Sequence, residues 1–200
     1  MLTQWIFSGR DDILTISQYL TGTAKLLTET AEAGLGQPVA SAIDVLVEAI
    51  DERKSVLVCG NGGSAADAMH IAGELVGRYM LDRPAYKVMS LGSDAAITTA
   101  WSNDFEYETL FARQVEALGE KGGVLWCLST SGDSENVVRA VVAAKNQGMT
   151  SIAFTGRGGG KLADADILVA VPSSLTPRIQ EIHTCLYHYV CEQVEHRLVG

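Results

Sequence analysis

Hydrophobic and polar positions change rhythm once along this chain, close to residue 54. Before that point, residues from about Ile13 to Ala33 carry apolar positions at near-helical spacing, and Gly34-Leu35-Gly36-Gln37-Pro38 breaks them. A second helix is predicted from about Val39 to Glu52, with Ile43, Val45, Leu46 and Ile50 on its apolar side. Beyond it, short continuously apolar runs take over. Ser55-Val56-Leu57-Val58-Cys59-Gly60 is closed by glycine, which suits a parallel strand buried on both faces. Similar runs recur at Tyr86–Leu91, Gly123–Leu128, Thr150–Thr155 and Ile167–Val171, with helical stretches at about 64–81, 94–102, 107–118, 134–147 and 175–198. Strands alternating with helices predict an α/β fold, a doubly wound five-stranded parallel sheet flanked by helices, with an N-terminal helical pair. No linker or repeat interrupts the pattern, so one domain is expected over residues 1–200, with helices in 1–53 and the α/β core in 54–200.

Composition narrows the function. A hydrophobic content of 47% is enough for a sizeable core. The net charge of −9, from 15 basic against 24 acidic residues, repels polyphosphate backbones, so no nucleic-acid partner is expected. A phosphorylated small molecule would therefore have to be held by local N–H and hydroxyl groups. Cys59, Cys127, Cys185 and Cys191 form no CxxC pair, and the first two sit in apolar runs, as small hydrophobes do in a reducing compartment. No run approaches the roughly 20 apolar residues of a membrane span, and Trp5-Ile6-Phe7 is too short for a signal peptide. A cytoplasmic protein without a membrane partner is expected.

Two strand-to-helix loops have the chemistry for an anion. Gly60-Asn61-Gly62-Gly63-Ser64 lets backbone N–H groups point into one hollow at a helix N-terminus, and Ser64 with Asp67 predicts a capping box. It is neither a Walker loop nor a dinucleotide fingerprint. A tight turn alone would account for its glycines. The second loop, Ser129-Thr130-Ser131-Gly132-Asp133-Ser134, has four hydroxyls where a helix cap needs one. Both loops follow buried strands, where open α/β sheets bind ligands.

A third element is a set of metal-ligand side chains. His70 and Glu74 are one turn apart on one helical face, a spacing that zinc accepts but that surface ion pairs share. The last helix embeds Arg178, Gln180, Glu181, His183 and His188 among apolar residues, where polar groups need partners. Local spacing favours Gln180 with His183 as a pair. Gln180 and His188 stand about 12 Å apart along the axis, and spacing alone does not choose between them.

Taken in order, Gly60-Asn61-Gly62-Gly63-Ser64, Asp67-Ala68-Met69-His70, Glu74-Leu75, Gly77-Arg78-Tyr79, Asn103-Asp104-Phe105, Ser129-Thr130-Ser131-Gly132-x-Ser134, Thr155-Gly156 and Arg178-Ile179-Gln180-Glu181-Ile182-His183 resemble the phosphoheptose isomerases of the sugar isomerase (SIS) domain superfamily. The resemblance spans residues 40–195. It implies isomerisation of D-sedoheptulose 7-phosphate to D-glycero-D-manno-heptose 7-phosphate through an enediol, for bacterial surface-glycan heptose. It also implies a homotetramer with shared active sites, its N-terminal helices used in packing. One zinc per subunit is implied on His70, Glu74, Gln180 and His188, in preference to His183. Substrate contacts fall on Asn61, Gly62, Gly63, Glu74, Asn103, Asp104, Ser129, Thr130, Ser131, Ser134 and Gln180, and the acid–base pair on Glu74 and His188. A carboxylate holding a cation is a weakened base, so either Glu74 or His188 could take the first proton.

The sequence departs from the family at three places. Pro177 replaces an acidic residue of some relatives, Trp101 and Ser102 replace smaller residues and could narrow the pocket, and Gly73 weakens its helix by up to about 1 kcal/mol. Two non-enzymes with similar loops compete with this reading. One is a SIS protein that binds the replication initiator and lacks the carboxylate at the Glu74 position. The other is a sugar-phosphate-sensing regulatory module, which is usually joined to a further domain.

Overall fold

The structure, a computed structural model, describes residues 14–199; Ile13 and the Trp5-Ile6-Phe7 stretch lie outside them. The chain begins with helices α1 (Ile16–Glu32) and α2 (Gly36–Asp51). Then follow β1 (Val56–Gly60), α3 (Gly63–Val76), β2 (Val88–Ser90), α4 (Ala95–Asp104) and α5 (Leu110–Leu118). The remainder is β3 (Val124–Ser129), α6 (Glu135–Asn146), β4 (Thr150–Thr155), β5 (Ile167–Ala170) and α7 (Thr176–Val199). Single 3₁₀ turns at Tyr107–Thr109 and Gly160–Asp164 complete the order.

The five strands form one parallel sheet in the order β2-β1-β3-β4-β5. Strand order reverses between β1 and β3, and at such a switch point the two outgoing loops diverge and leave a crevice. Those loops are the glycine-rich and hydroxyl-rich segments. Period-two alternation sends Val56, Val58, Trp126, Leu128, Ile152 and Phe154 to the face covered by α2, α3 and α7. Leu57, Cys59, Leu125, Cys127 and Ala153 point to the other, under α5 and α6. Cys59 and Cys127 lie opposite each other in register, Sγ to Sγ 3.7 Å, as buried free thiols. The thiol contact and burial hold Cys127 well above the usual thiol range.

Several element boundaries differ from the expected ones. The predicted break at residues 34–38 is narrower, because α2 already begins at Gly36. Pro38 is accommodated in its first turn, where an amide N–H would have no helical acceptor. The edge strand β2 is only Val88–Ser90, and the Tyr86 N–H turns to the Leu75 carbonyl of α3 at 3.4 Å instead of joining the ladder. Helix α3 ends at Val76 rather than 81. There Arg83 donates to the carbonyls of Glu74, Leu75 and Gly77 at 2.9, 2.9 and 3.3 Å, capping the helix. Glu195 of α7 accepts the N–H groups of Tyr79, Met80 and Leu81 at 2.9, 2.7 and 2.7 Å, which pulls the chain out of helix. Arg83 and Glu195 pair at 3.1 Å, each side chain 1% exposed. Burial pushes the Glu195 carboxyl pKa up, but its hydrogen bonds and Arg83 outweigh that and hold it below the usual range.

At the other end of α7, Arg178 lies over the Tyr19 ring, 3.5 Å from its centroid, and bonds to Glu181 and Thr23. The Thr23 hydroxyl also donates to Glu181. This polar knot fixes α1 on α7. Helix α2 buries Val39, Ile43, Leu46 and Ile50, worth roughly 1.5–3 kcal/mol each. No single helix among the described residues is long and apolar enough to cross a membrane; α1 and α2 together would be, but they are bent by 79°.

Candidate active site

The two loops meet at the carboxyl ends of β1 and β3. Asn61, Gly62, Gly63, Ser64, Leu128, Ser129, Thr130, Ser134, Thr176 and Gln180 line a cavity of about 270 Å³ there. Seven of the sequence-predicted substrate residues are therefore brought together, with Gln180 arriving from α7. Gly62 turns the corner with φ of 56°, a conformation that favours glycine. A Cβ on Gly63 would stand 2.5 Å from the Gln180 amide nitrogen, so the glycine is what lets α7 approach.

The expected capping box is absent. Gly62 is the N-cap of α3 with no side-chain bond, and Ser64 is buried inside the first turn, its N–H held by the Asn61 carbonyl. The tight glycine corner starts the helix two residues early and leaves Ser64 no capping position. In the second loop, Ser134 precedes α6 but makes no capping bond. Its hydroxyl instead receives the Ser129 hydroxyl at 3.3 Å, facing the cavity. Thr130 and Thr176 hydroxyls lie 3.2 Å apart. Ser131 is turned to its own loop, accepting the Asp133 N–H at 3.1 Å, and does not line the cavity.

Asn61 is engaged rather than free. Its amide exchanges two 2.9 Å hydrogen bonds with Asn136 of α6, and its oxygen also accepts the Tyr107 hydroxyl at 2.7 Å. Sequence reasoning missed Asn136, Tyr107 and Thr176. The first two act through another side chain, and Thr176 looked like an ordinary helix start. Asn103 and Asp104 end α4 on the exposed surface, bonded to each other at 2.9 Å and outside the cavity lining. Trp101 does not narrow the cavity. It stacks on Phe105 at 4.2 Å and donates to Thr109, toward α5. Gly73 has open space around it, so its only penalty is helix propensity.

About 10–12 Å further along the neighbouring helices α3 and α7, a second group of side chains converges. His70 Nε2 lies 2.9 Å from Glu74 Oε1 and 3.5 Å from His188 Nε2. Ligand atoms of His70, Glu74 and His188 all fall within 4.8 Å of one another. Two imidazole nitrogens and a carboxylate oxygen are a donor set that accepts zinc and other divalent ions. Behind them, the Tyr187 hydroxyl lies 2.8 Å from His70 Nδ1 and 3.5 Å from Asp67 Oδ1. Burial raises the Asp67 carboxyl pKa, opposed by the Tyr187 hydrogen bond and the His70 charge.

His183, the locally favoured partner of Gln180, is not part of this group. It is fully buried, its Nε2 3.2 Å from the Thr155 carbonyl, and burial pushes its pKa down to about 4. Three residues from Gln180 it takes the inward face of α7, against Phe154. His188, eight residues on, returns to the face that meets α3.

The SIS domain family profile matches residues 18–156. A phosphoheptose isomerase of Methylibium petroleiphilum is 43% identical over 189 residues, covering 92% of this chain and 94% of its own. Another, of Crocosphaera subtropica, is 50% identical over 157 residues, covering 78% and 80%. The solved phosphoheptose isomerase of Neisseria gonorrhoeae superposes with a TM-score of 0.84 at 38% identity, over 90% of this chain and 97% of that one. That of Francisella tularensis gives 0.86 at 35% identity, over 90% and 96%.

Proposed function

We propose, because the chain belongs to the SIS domain family and to the phosphoheptose isomerases within it, that it converts D-sedoheptulose 7-phosphate into D-glycero-D-manno-heptose 7-phosphate. The observation that carries the reading is one pair of helices, α3 and α7, joining a hydroxyl-rich cavity to the His70, Glu74 and His188 cluster. An extended sugar has its phosphate and its reacting carbons at opposite ends, and the two sites suit those ends.

In this reading Ser129, Thr130, Ser134 and the turn at Gly62 and Gly63 hold the phosphate without a basic side chain, in keeping with the charge of −9. Gln180 orients the sugar hydroxyls. Glu74 takes the proton from C1, O2 gains a proton and the enediol forms. The C1 hydroxyl then loses its proton as C1 becomes the carbonyl, and C2, which carried no hydrogen in the ketose, gains one. His188 handles the oxygen protons. His70, Glu74 and His188 would hold a zinc ion, which when bound polarises the substrate's carbonyl and hydroxyl oxygens; Gln180, which lines the adjoining cavity, is the fourth ligand that the family resemblance implies. Asn103 and Asp104, exposed on α4, would reach a substrate through a neighbouring subunit.

The working protein is a cytoplasmic homotetramer of single SIS domains with one zinc per subunit. Exposed Leu14, Ile16, Leu20 and Leu27 on and beside α1 support a packing role for the N-terminal helices. Its product feeds bacterial surface-glycan heptose. Chelation followed by desalting is expected to lower isomerisation at least about tenfold, and stoichiometric zinc to restore it. Full activity in rigorously metal-free protein contradicts the zinc role.

A further inference from the structure

We propose that Tyr187 is a positioning residue: when a cation lies between His70, Glu74 and His188, the Tyr187 hydroxyl, backed by Asp67, holds the His70 imidazole with the proton on Nδ1 and the lone pair of Nε2 turned to that cation. The inference rests on the reading of His70 as a metal ligand and concerns the shell behind it. His70 stands on the exposed side of the helix pair, its side chain 44% accessible, and its ring meets those of Tyr187 and His188 edge-on with centroids 5.3 and 5.0 Å away. The shortest polar contact on each edge shows which way each nitrogen faces. On one edge Nε2 faces Glu74 Oε1 at 2.9 Å; on the other Nδ1 faces the Tyr187 hydroxyl at 2.8 Å.

A nitrogen that binds a cation must present a lone pair, so the proton belongs on the other nitrogen and needs an acceptor. Tyr187 supplies it. A phenol that accepts from Nδ1–H keeps its own proton to donate, and Asp67 Oδ1 lies 3.5 Å away to receive it. The Tyr187 ring packs in the core on α7, which fixes where its hydroxyl stands. Tyr187 is 1% exposed. The second oxygen of Asp67 is buried with no hydrogen-bond partner among the described residues. A half-satisfied buried carboxylate is costly in a folded protein, and here it ends a chain that begins at a donor-cluster histidine. Asp67, His70 and Glu74 lie on successive turns of α3, while Tyr187 and His188 are neighbours on α7. The relay therefore ties the two helices together at the cluster itself.

The test is zinc affinity, measured by competition with a chromophoric chelator, for wild type, Tyr187→Phe, Asp67→Asn and the double variant. Tyr187→Phe is expected to bind zinc about tenfold to a hundredfold more weakly, with the thermal midpoint of the metal-free protein nearly unchanged. Because the two groups act in series, the double variant is expected to be no weaker than Tyr187→Phe alone. Wild-type affinity in Tyr187→Phe, or losses in the two single variants that simply multiply, would overturn the relay while leaving the metal centre standing. A wild-type protein that takes up no zinc overturns both.

Discussion

Glu74→Gln is expected to lower kcat on sedoheptulose 7-phosphate by about 10²–10⁴-fold at saturating zinc, the range typical of removing a positioned acid–base group. The change keeps shape and one oxygen donor but removes the charge that accepts a proton from carbon. The cavity that would hold the phosphate is built by other residues, with Gln180 the member from α7. Affinity for an unreactive sugar phosphate, read by calorimetry, is therefore expected to stay within about threefold, since the phosphate donors are untouched. Saturating zinc matters, because Glu74 also stands 2.9 Å from His70 Nε2 and contributes to the donor cluster. A variant with wild-type turnover would remove Glu74 from the chemistry and leave His188 as the first base.

The largest structural effect is expected at Glu195, far from any substrate. Glu195→Ala strips acceptors from three backbone N–H groups and leaves the Arg83 guanidinium buried without its partner. Breaking one side of a buried pair costs roughly 3–5 kcal/mol. In a chain of this size that is on the order of 10 °C in thermal midpoint. Asp44→Ala provides the contrast. Its pair with Arg197 is shorter, 2.6 Å, but half-exposed on both sides, and such pairs are worth less than about 1 kcal/mol. Similar losses in the two variants, by calorimetric melting, would mean that burial does not decide the value of the Arg83–Glu195 pair.

That clamp also marks where the sequence stops being legible. The sheet was readable because buried parallel strands are continuous apolar runs, and β4 runs from Thr150 to Thr155 as the pattern predicts. The end of α3 was not. Its sequence stays compatible with helix through residue 81, and it stops because Arg83 caps it and Glu195, 112 positions beyond Arg83, claims the next N–H groups. Long-range partners of that kind leave no local trace. The same holds at the site. Hydroxyl density marked Ser129, Thr130 and Ser134, and turn spacing marked His70 with Glu74. The choice between His183 and His188 depends on which side of α7 meets α3, a packing fact that periodicity leaves open in a helix apolar on most sides. Asn136, Tyr107 and Tyr187 work by holding other side chains, so no motif announces them. The capping box failed for a local reason, since Gly62 could take a backbone angle that made a serine cap unnecessary.

Proton transfer between the first two carbons of a ketose phosphate is tested most directly by running the zinc-loaded protein with sedoheptulose 7-phosphate in D₂O and following the sugar by NMR. The expected result is an aldoheptose 7-phosphate carrying solvent deuterium at C2. Binding of the sugar phosphate without formation of any aldose would contradict it.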